Sequence, residues 1–163
     1  MFAELADLGA DVGALLKERG QTVAVADGAT GGLVSAALVA MPGATSFYVG
    51  GGVIYSLKGR DALLGLSRSE LAGMRSVTEA YALLQARAIR DRLGSDWGLA
   101  ESGSTGPGKH PFGVESGRSA IAVVGPGVER SATIATGHDD RIANMHAFAR
   151  AALALLRDVL VSA

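Results

Sequence analysis

Most of the 23 glycines in this 163-residue chain fall between segments of regular hydrophobic pattern, and that placement limits the folds open to it. Glycine between elements marks tight turns and close backbone approaches. Two of the glycine runs follow short strand-like segments. Thr22–Ala26 is a β-branched run that leads into Asp27-Gly28-Ala29-Thr30-Gly31-Gly32 and then a helix carrying Leu33, Val34, Ala37 and Leu38. Gly98–Glu101 reads as a strand that leads into Ser102-Gly103-Ser104-Thr105-Gly106-Pro107-Gly108, the start of a Gly/Pro/Ser loop reaching Gly117.

The remaining pattern supplies helices and further strands. Phe2, Leu5, Leu8, Val12, Leu15 and Leu16 recur at helical spacing before Gly20. Ser67 with Glu70, and Ser76 with Glu79, match the capping box and predict two helix starts. The second helix is expected to end at Gly94. Ser46–Val49 and Val53–Ser56 read as two strands around Gly50-Gly51-Gly52, a hairpin or a bulge. Ser119–Val124 and Ser131–Thr136 read as a hairpin through Gly125-Pro126-Gly127, and a last amphipathic helix carries Ile142 to Leu160. With no repeat and no linker, residues 1–163 are expected to form one α/β domain: a mixed central sheet with helices on both faces, a three-layer α/β/α arrangement.

Composition narrows the function. Hydrophobic residues make up 48% and charged residues 19%, with a formal net charge of −1. The basic residues are scattered, so neither a nucleic acid nor a membrane surface is an expected partner. The absence of cysteine excludes disulfides, thiolate zinc sites and a cysteine nucleophile. No apolar run approaches the ~20 residues needed to span a bilayer. The first residues, with Glu4 and Asp7, lack a basic leader region, so the cytoplasm is the expected location. His110, His138 and His146 share no metal-ligand spacing, and His138-Asp139-Asp140 reads first as a helix cap. No metal and no cofactor is expected.

Both glycine loops lie where ligands bind in open α/β sheets, beyond strand ends. Asp27–Gly32 fits an anion-binding turn, with free N–H groups at a helix start, or simply a tight turn. It lacks the lysine of a Walker loop and the spacing of a dinucleotide fingerprint. The loop starting at Ser102 fits the far side of the same crevice or a flexible surface loop. Thr45, Tyr55 and Arg60 flank the expected hairpin; spacing alone favours Tyr55 as a core aromatic with its hydroxyl at the rim, and Arg60 as a residue that caps or solvates the next helix.

Taken together these segments resemble the CinA C-terminal domain family of competence/damage-inducible proteins. The family pattern Ala-Glu-Ser-x-Thr-Gly-Gly is matched by Ala26-Asp27-Gly28-Ala29-Thr30-Gly31-Gly32, and Pro-Gly-x-Ser by Pro42-Gly43-Ala44-Thr45. A tyrosine follows in Tyr55-Ser56, and a family lysine is replaced by Arg60. The Thr/Ser-Gly-x-Ala-Gly-Pro loop is matched by Ser102–Pro107, and Gly-Asp-Arg by Asp139-Asp140-Arg141. Some members are nicotinamide mononucleotide deamidases. The resemblance implies Thr45, Tyr55 and Arg60 in catalytic positions. It implies Asp27, Gly28, Thr30, Gly31, Gly32, Ser102, Gly103, Gly106 and Arg141 in substrate-binding ones.

The departures are chemical. Thr45 stands where the family has a serine nucleophile, and Asp27 is the one obvious base for it. Arg60 replaces a lysine that can lose its proton, which a guanidinium does not. Gly28 replaces a serine, and Val114-Glu115-Ser116-Gly117 replaces a Lys-Pro-Val-Gly segment. Two functions follow: an amidohydrolase of nicotinamide mononucleotide or a related pyridine nucleotide with degenerate catalytic residues, or a non-catalytic module binding a nucleotide or phosphorylated metabolite. Either predicts one pocket where Thr45, Tyr55, Arg60, the two loops and Arg141 meet. The apolar segment Phe47–Ile54 predicts a homodimer or higher homo-oligomer.

Overall fold

Strand β1 (Val23–Asp27) is buried along its whole length. Its alternation sorts two cores: Val23 and Val25 face one side of the sheet, Ala24 and Ala26 the other. In this computed structural model, which describes residues 1–163, β1 lies inside a five-stranded sheet. Its neighbours are β2 (Tyr48–Val53) and β3 (Trp97–Ser104), both parallel to it. An antiparallel hairpin, β4 (Arg118–Gly125) and β5 (Val128–Ala135), extends the sheet beyond β3. The spatial order is β2-β1-β3-β4-β5.

The valine face is covered by α1 (Phe2–Arg19), α2 (Leu33–Val39) and α6 (Arg141–Ser162), which bury Leu5, Leu16, Leu38, Phe148 and Leu156. The alanine face is covered by α3 (Leu57–Leu64) and α5 (Glu79–Leu93), while a single turn, α4 (Arg68–Leu71), lies between them in sequence. Small side chains on this face let α5 lie close: a Cβ on Gly98 would overlap the Ala86 carbonyl oxygen. The result is the expected three-layer α/β/α arrangement on a mixed sheet. No helix is long and apolar enough to cross a membrane.

Several local expectations hold. Gly20 and Gly94 end α1 and α5 in the left-handed conformation. Ser67 and Glu70 form the capping box of α4, and Asp140 caps α6 through the Ala143 N–H.

Others are corrected. Of the two readings of Gly50-Gly51-Gly52 the hairpin fails, since the run lies in the middle of β2, an edge strand, while a bulge-like register shift does occur, between Tyr48 and Gly50 opposite Val23 and Ala24. Ser76 does not cap α5. Thr78 does, and Glu79 instead accepts hydrogen bonds from Ser131 at 2.7 Å and Thr133 at 2.9 Å on β5. Ser102–Ser104 belong to β3 rather than to the loop after it.

Chain direction reverses around β1. After β1 the chain crosses the valine face through α2 to β2, then returns over the alanine face through α5 to β3 on β1's other side. The carboxyl ends of β1 and β3 therefore part at a topological switch point, where such sheets hold ligands.

Candidate functional site

Two carboxylates, Asp27 at the end of β1 and Glu101 within β3, are buried beside this crevice without lining its cavity. Asp27 accepts from the Thr30 hydroxyl at 2.6 Å, the Val34 N–H at 3.0 Å, and the Ser35 N–H and hydroxyl at 3.2 and 2.8 Å. Glu101 accepts from the Gly28 N–H at 3.1 Å, the Thr30 N–H at 3.0 Å and the Ser119 hydroxyl at 2.8 Å. Burial raises the pKa of the Glu101 carboxyl above the ordinary carboxylate range, against the lowering effect of its Thr30 and Ser119 hydrogen bonds; the Asp27 charge adds to the rise.

This arrangement corrects the expectation of a free anion-binding turn. The N–H groups of Gly28, Thr30, Val34 and Ser35 already point at the protein's own carboxylates. Nor can Asp27 serve Thr45 as a base from here. Gly31 and Gly32 carry the chain into α2 at φ 65° and 103°.

Beyond the ends of β1 and β3 lies a cavity of about 400 Å³, within the range of small-molecule sites. Gly28, Tyr55, Ser102, Gly103, Gly106 and Arg141 all line it. The Ser102 hydroxyl accepts the Val77 N–H at 2.9 Å, which leaves its own proton free to donate. Val77 is held at φ 59°, a conformation that β-branched residues rarely adopt. Asn144, buried in α6, ties down the next turn by donating to the Thr105 carbonyl at 2.9 Å. At the mouth, Arg141 donates to the Gly106 carbonyl at 2.8 Å and to the Tyr55 hydroxyl at 3.0 Å.

The lining also includes residues that sequence reasoning passed over: Ser76, Tyr81, Gln85, Lys109 and His110. Burial lowers the His110 pKa and favours the neutral ring. Its Nδ1 accepts the Phe112 N–H at 3.2 Å, so the neutral imidazole carries its proton on Nε2. Arg141 and Lys109 are the cationic side chains among the lining residues, and no carboxylate is among them. Glu101 left one mark in the sequence, as the lone charged residue in the otherwise neutral segment Trp97–Ser104.

Six predicted residues do not line the cavity: Asp27, Thr30, Gly31 and Gly32 in the turn after β1, and Arg60 and Thr45. Arg60 lies behind the cavity wall, its side chain 15% exposed and paired with Asp61 at 3.0 Å. Burial works against its charge, but hydrogen bonding to Tyr81 and Asp61 outweighs that and raises its pKa. Thr45 is exposed on a single 3-10 turn, Ala44–Ser46, that precedes β2. It sits at the amino end of the parallel strands, whereas the cavity opens at their carboxyl ends. About 16 Å of strand separates the two, so the expected meeting of Thr45 with Ser102 does not occur within one chain.

Comparison with known proteins places this geometry. The model of the CinA C-terminal domain matches residues 5–160. A CinA-like protein of Gloeobacter violaceus is 40% identical over 124 residues, 76% of this chain and 29% of the relative. One from Prochlorococcus marinus is 43% identical over 112 residues, 69% of this chain and 26% of the relative. The chain thus spans between a quarter and a third of the length of these relatives. Among solved structures, a competence-damaged protein (CinA) superfamily protein from Klebsiella pneumoniae superposes with a TM-score of 0.89 at 27% identity, covering 98% of this chain and 99% of the other. One from Enterobacter cloacae gives 0.87 at 28% identity, covering 96% and 92%.

Proposed function

Because the chain belongs to the CinA C-terminal domain family, we propose that its cavity binds a nucleotide or similar phosphorylated metabolite and that a single chain does not hydrolyse it. The observation that carries this reading is the charge of the lining: Arg141 and Lys109 face the cavity with no carboxylate opposite. Arg141 is oriented in advance by Gly106 and Tyr55, and its planar fork suits a phosphate. The lining hydroxyls of Ser102, Ser104 and Thr105 suit ribose or phosphate oxygens.

Hydrolysis lacks its parts in one chain. Thr45 is a strand's length away, and Arg60 retains its proton. Amide hydrolysis of nicotinamide mononucleotide is the second reading. It is favoured by Tyr55 at the cavity mouth and, with Thr45 as the nucleophile that the resemblance implies, requires another copy to deliver that hydroxyl.

We propose also that copies associate through the β2 edge, where Val49, Val53, Tyr55, Leu57 and Leu63 form exposed apolar surface. Light scattering at micromolar concentration checks this, and a monomer there removes it.

A thermal-shift series with nicotinamide mononucleotide, nicotinate mononucleotide and inorganic phosphate, followed by an ammonia-release assay, separates the two readings. Stabilisation by the nucleotides without ammonia supports binding alone. Ammonia release supports the second reading, and no stabilisation by any of the three overturns both.

A further inference from the structure

Gln85 on α5 is only 2% exposed, and it lines the cavity. Its neighbours on that helix, Ala82, Ala86 and Ile89, belong to the apolar core of the alanine face, where a leucine would fill the same space. The Gln85 carboxamide has no hydrogen-bond partner in the protein, yet no side-chain nitrogen or oxygen sealed from solvent lacks one. Its amide atoms therefore reach the cavity. Leaving a polar group this enclosed without a partner is costly, and a partner for this one comes only from what the cavity holds.

Further free polar groups lie on the same side of the sheet. Ala100 of β3 packs with Ala82 and Ala86 of α5, so the alternation of β3 turns Ser102 and Ser104 toward α5 as well. The Ser104 hydroxyl, on a residue 5% exposed, has no partner in the protein, and Ser102 keeps a proton to donate. Tyr81, one turn before Gln85 on α5, also lines the cavity. Charge selects among the ligands such groups could hold. Lys109 and Arg141 suit a phosphate, and no carboxylate in the lining balances a positively charged ring.

We propose that Gln85 reads the base of a bound nucleotide, and that the preferred base is neutral and carries a ring N–H beside a ring carbonyl, rather than a pyridinium ring. The Gln85 carbonyl accepts from the ring N–H while its amide N–H donates to the ring carbonyl. One planar amide makes both bonds at once to one base edge. This rests on the reading of the cavity as a nucleotide site, with Arg141 and Lys109 on the phosphate.

Calorimetric titration of the full chain with uridine monophosphate, 3-methyluridine monophosphate and nicotinamide mononucleotide tests it, on the wild type and on Gln85→Leu. The wild type is expected to bind uridine monophosphate on the order of 10-fold more tightly than either other probe, the scale of two neutral hydrogen bonds. Gln85→Leu is expected to bring uridine monophosphate down to the level of its methylated form. It should melt no more than about 2 °C below the wild type, because the amide gives up no contact within the protein; a larger drop makes Gln85 a fold residue and overturns the assignment. An advantage over the methylated form that survives Gln85→Leu reflects crowding by the methyl group and overturns it too. So does equal binding of the two uridine probes by the wild type, or tighter binding of nicotinamide mononucleotide than of uridine monophosphate, and neither result needs a variant. Failure of all three probes to bind the wild type overturns the reading of the cavity and this inference with it.

Discussion

Arg141 donates to the Tyr55 hydroxyl at 3.0 Å across 86 residues of chain, joining the first residue of α6 to the segment that leaves the β2 edge. The same guanidinium holds the Gly106 carbonyl. One side chain thus fixes the relative positions of three segments at the cavity mouth. Tyr55 is 71% exposed, so this hydrogen bond orients the arginine more than it stabilises the fold.

Arg141→Ala is therefore expected to weaken binding of nicotinamide mononucleotide by roughly 10- to 100-fold, the range for hydrogen bonds to a charged group. Tyr55→Phe, which leaves the Gly106 contact in place, should cost less than 10-fold. Both variants should melt within about 2 °C of the wild type, because each alters an exposed group. Calorimetry and thermal denaturation check the pair; a large loss of melting temperature would make Arg141 a fold residue instead.

The Glu101 carboxyl supports a pH prediction. Its folded pKa is raised above the ordinary 4.5 by burial, so the folded state holds a proton that the unfolded state releases. Stability from this group is fully present below the ordinary value and declines as pH rises toward the folded one. Glu101→Gln keeps an acceptor for the Gly28 and Thr30 N–H groups and should remove that decline in urea melts between pH 4.5 and 8. A variant whose stability curve runs parallel to the wild type would refute the assignment. Glu101→Ala orphans those two N–H groups and should lose about 1–3 kcal/mol for each.

The layers of the fold were legible because they rest on local signals: helical spacing in α1 and α6, the Ser67 capping box, and the turn at Pro126-Gly127. What was not legible depends on partners distant in sequence. Gly50-Gly51-Gly52 reads as a break, yet it stays in β2 because a Cβ on Gly51 would overlap the Val25 carbonyl oxygen of the neighbouring strand. The start of α5 was displaced to Thr78 because β5 hydroxyls claim Glu79. At the site, the loop residues and Arg141 were readable from motif spacing. That the loop's N–H groups were already taken was not, since one of their acceptors, Glu101, lies 73 residues from Gly28.

Gly28 carries the next prediction. It replaces a family serine, and restoring that serine looks like a route to activity. In this structure a Cβ on Gly28 would overlap the Glu101 carbonyl oxygen, a backbone atom that cannot swing aside. Gly28→Ser should instead lose about 1–3 kcal/mol from overpacking, seen as a melting temperature lower by roughly 3–10 °C. An unchanged melting temperature would mean that β1 and β3 part more readily here than their shared ladder suggests.

Thr45 gives the last and sharpest test. A nucleophile must come within about 3–3.5 Å of the carbon it attacks, and Thr45 lies a full strand from the cavity. Thr45→Ala should therefore leave nucleotide affinity unchanged within about twofold, unlike Arg141→Ala. Ammonia release from nicotinamide mononucleotide should be absent, and Thr45→Ser with Arg60→Lys should not restore it in dilute monomer, since neither change shortens the separation. A hydroxyl brought by another copy behaves differently: its activity per chain rises with protein concentration as copies associate, and Thr45→Ala abolishes it. Ammonia release with that concentration dependence would show that the site is completed between chains. Release that is abolished by Thr45→Ala yet independent of concentration in a monomer would show that β2 and its preceding turn move far from the arrangement described.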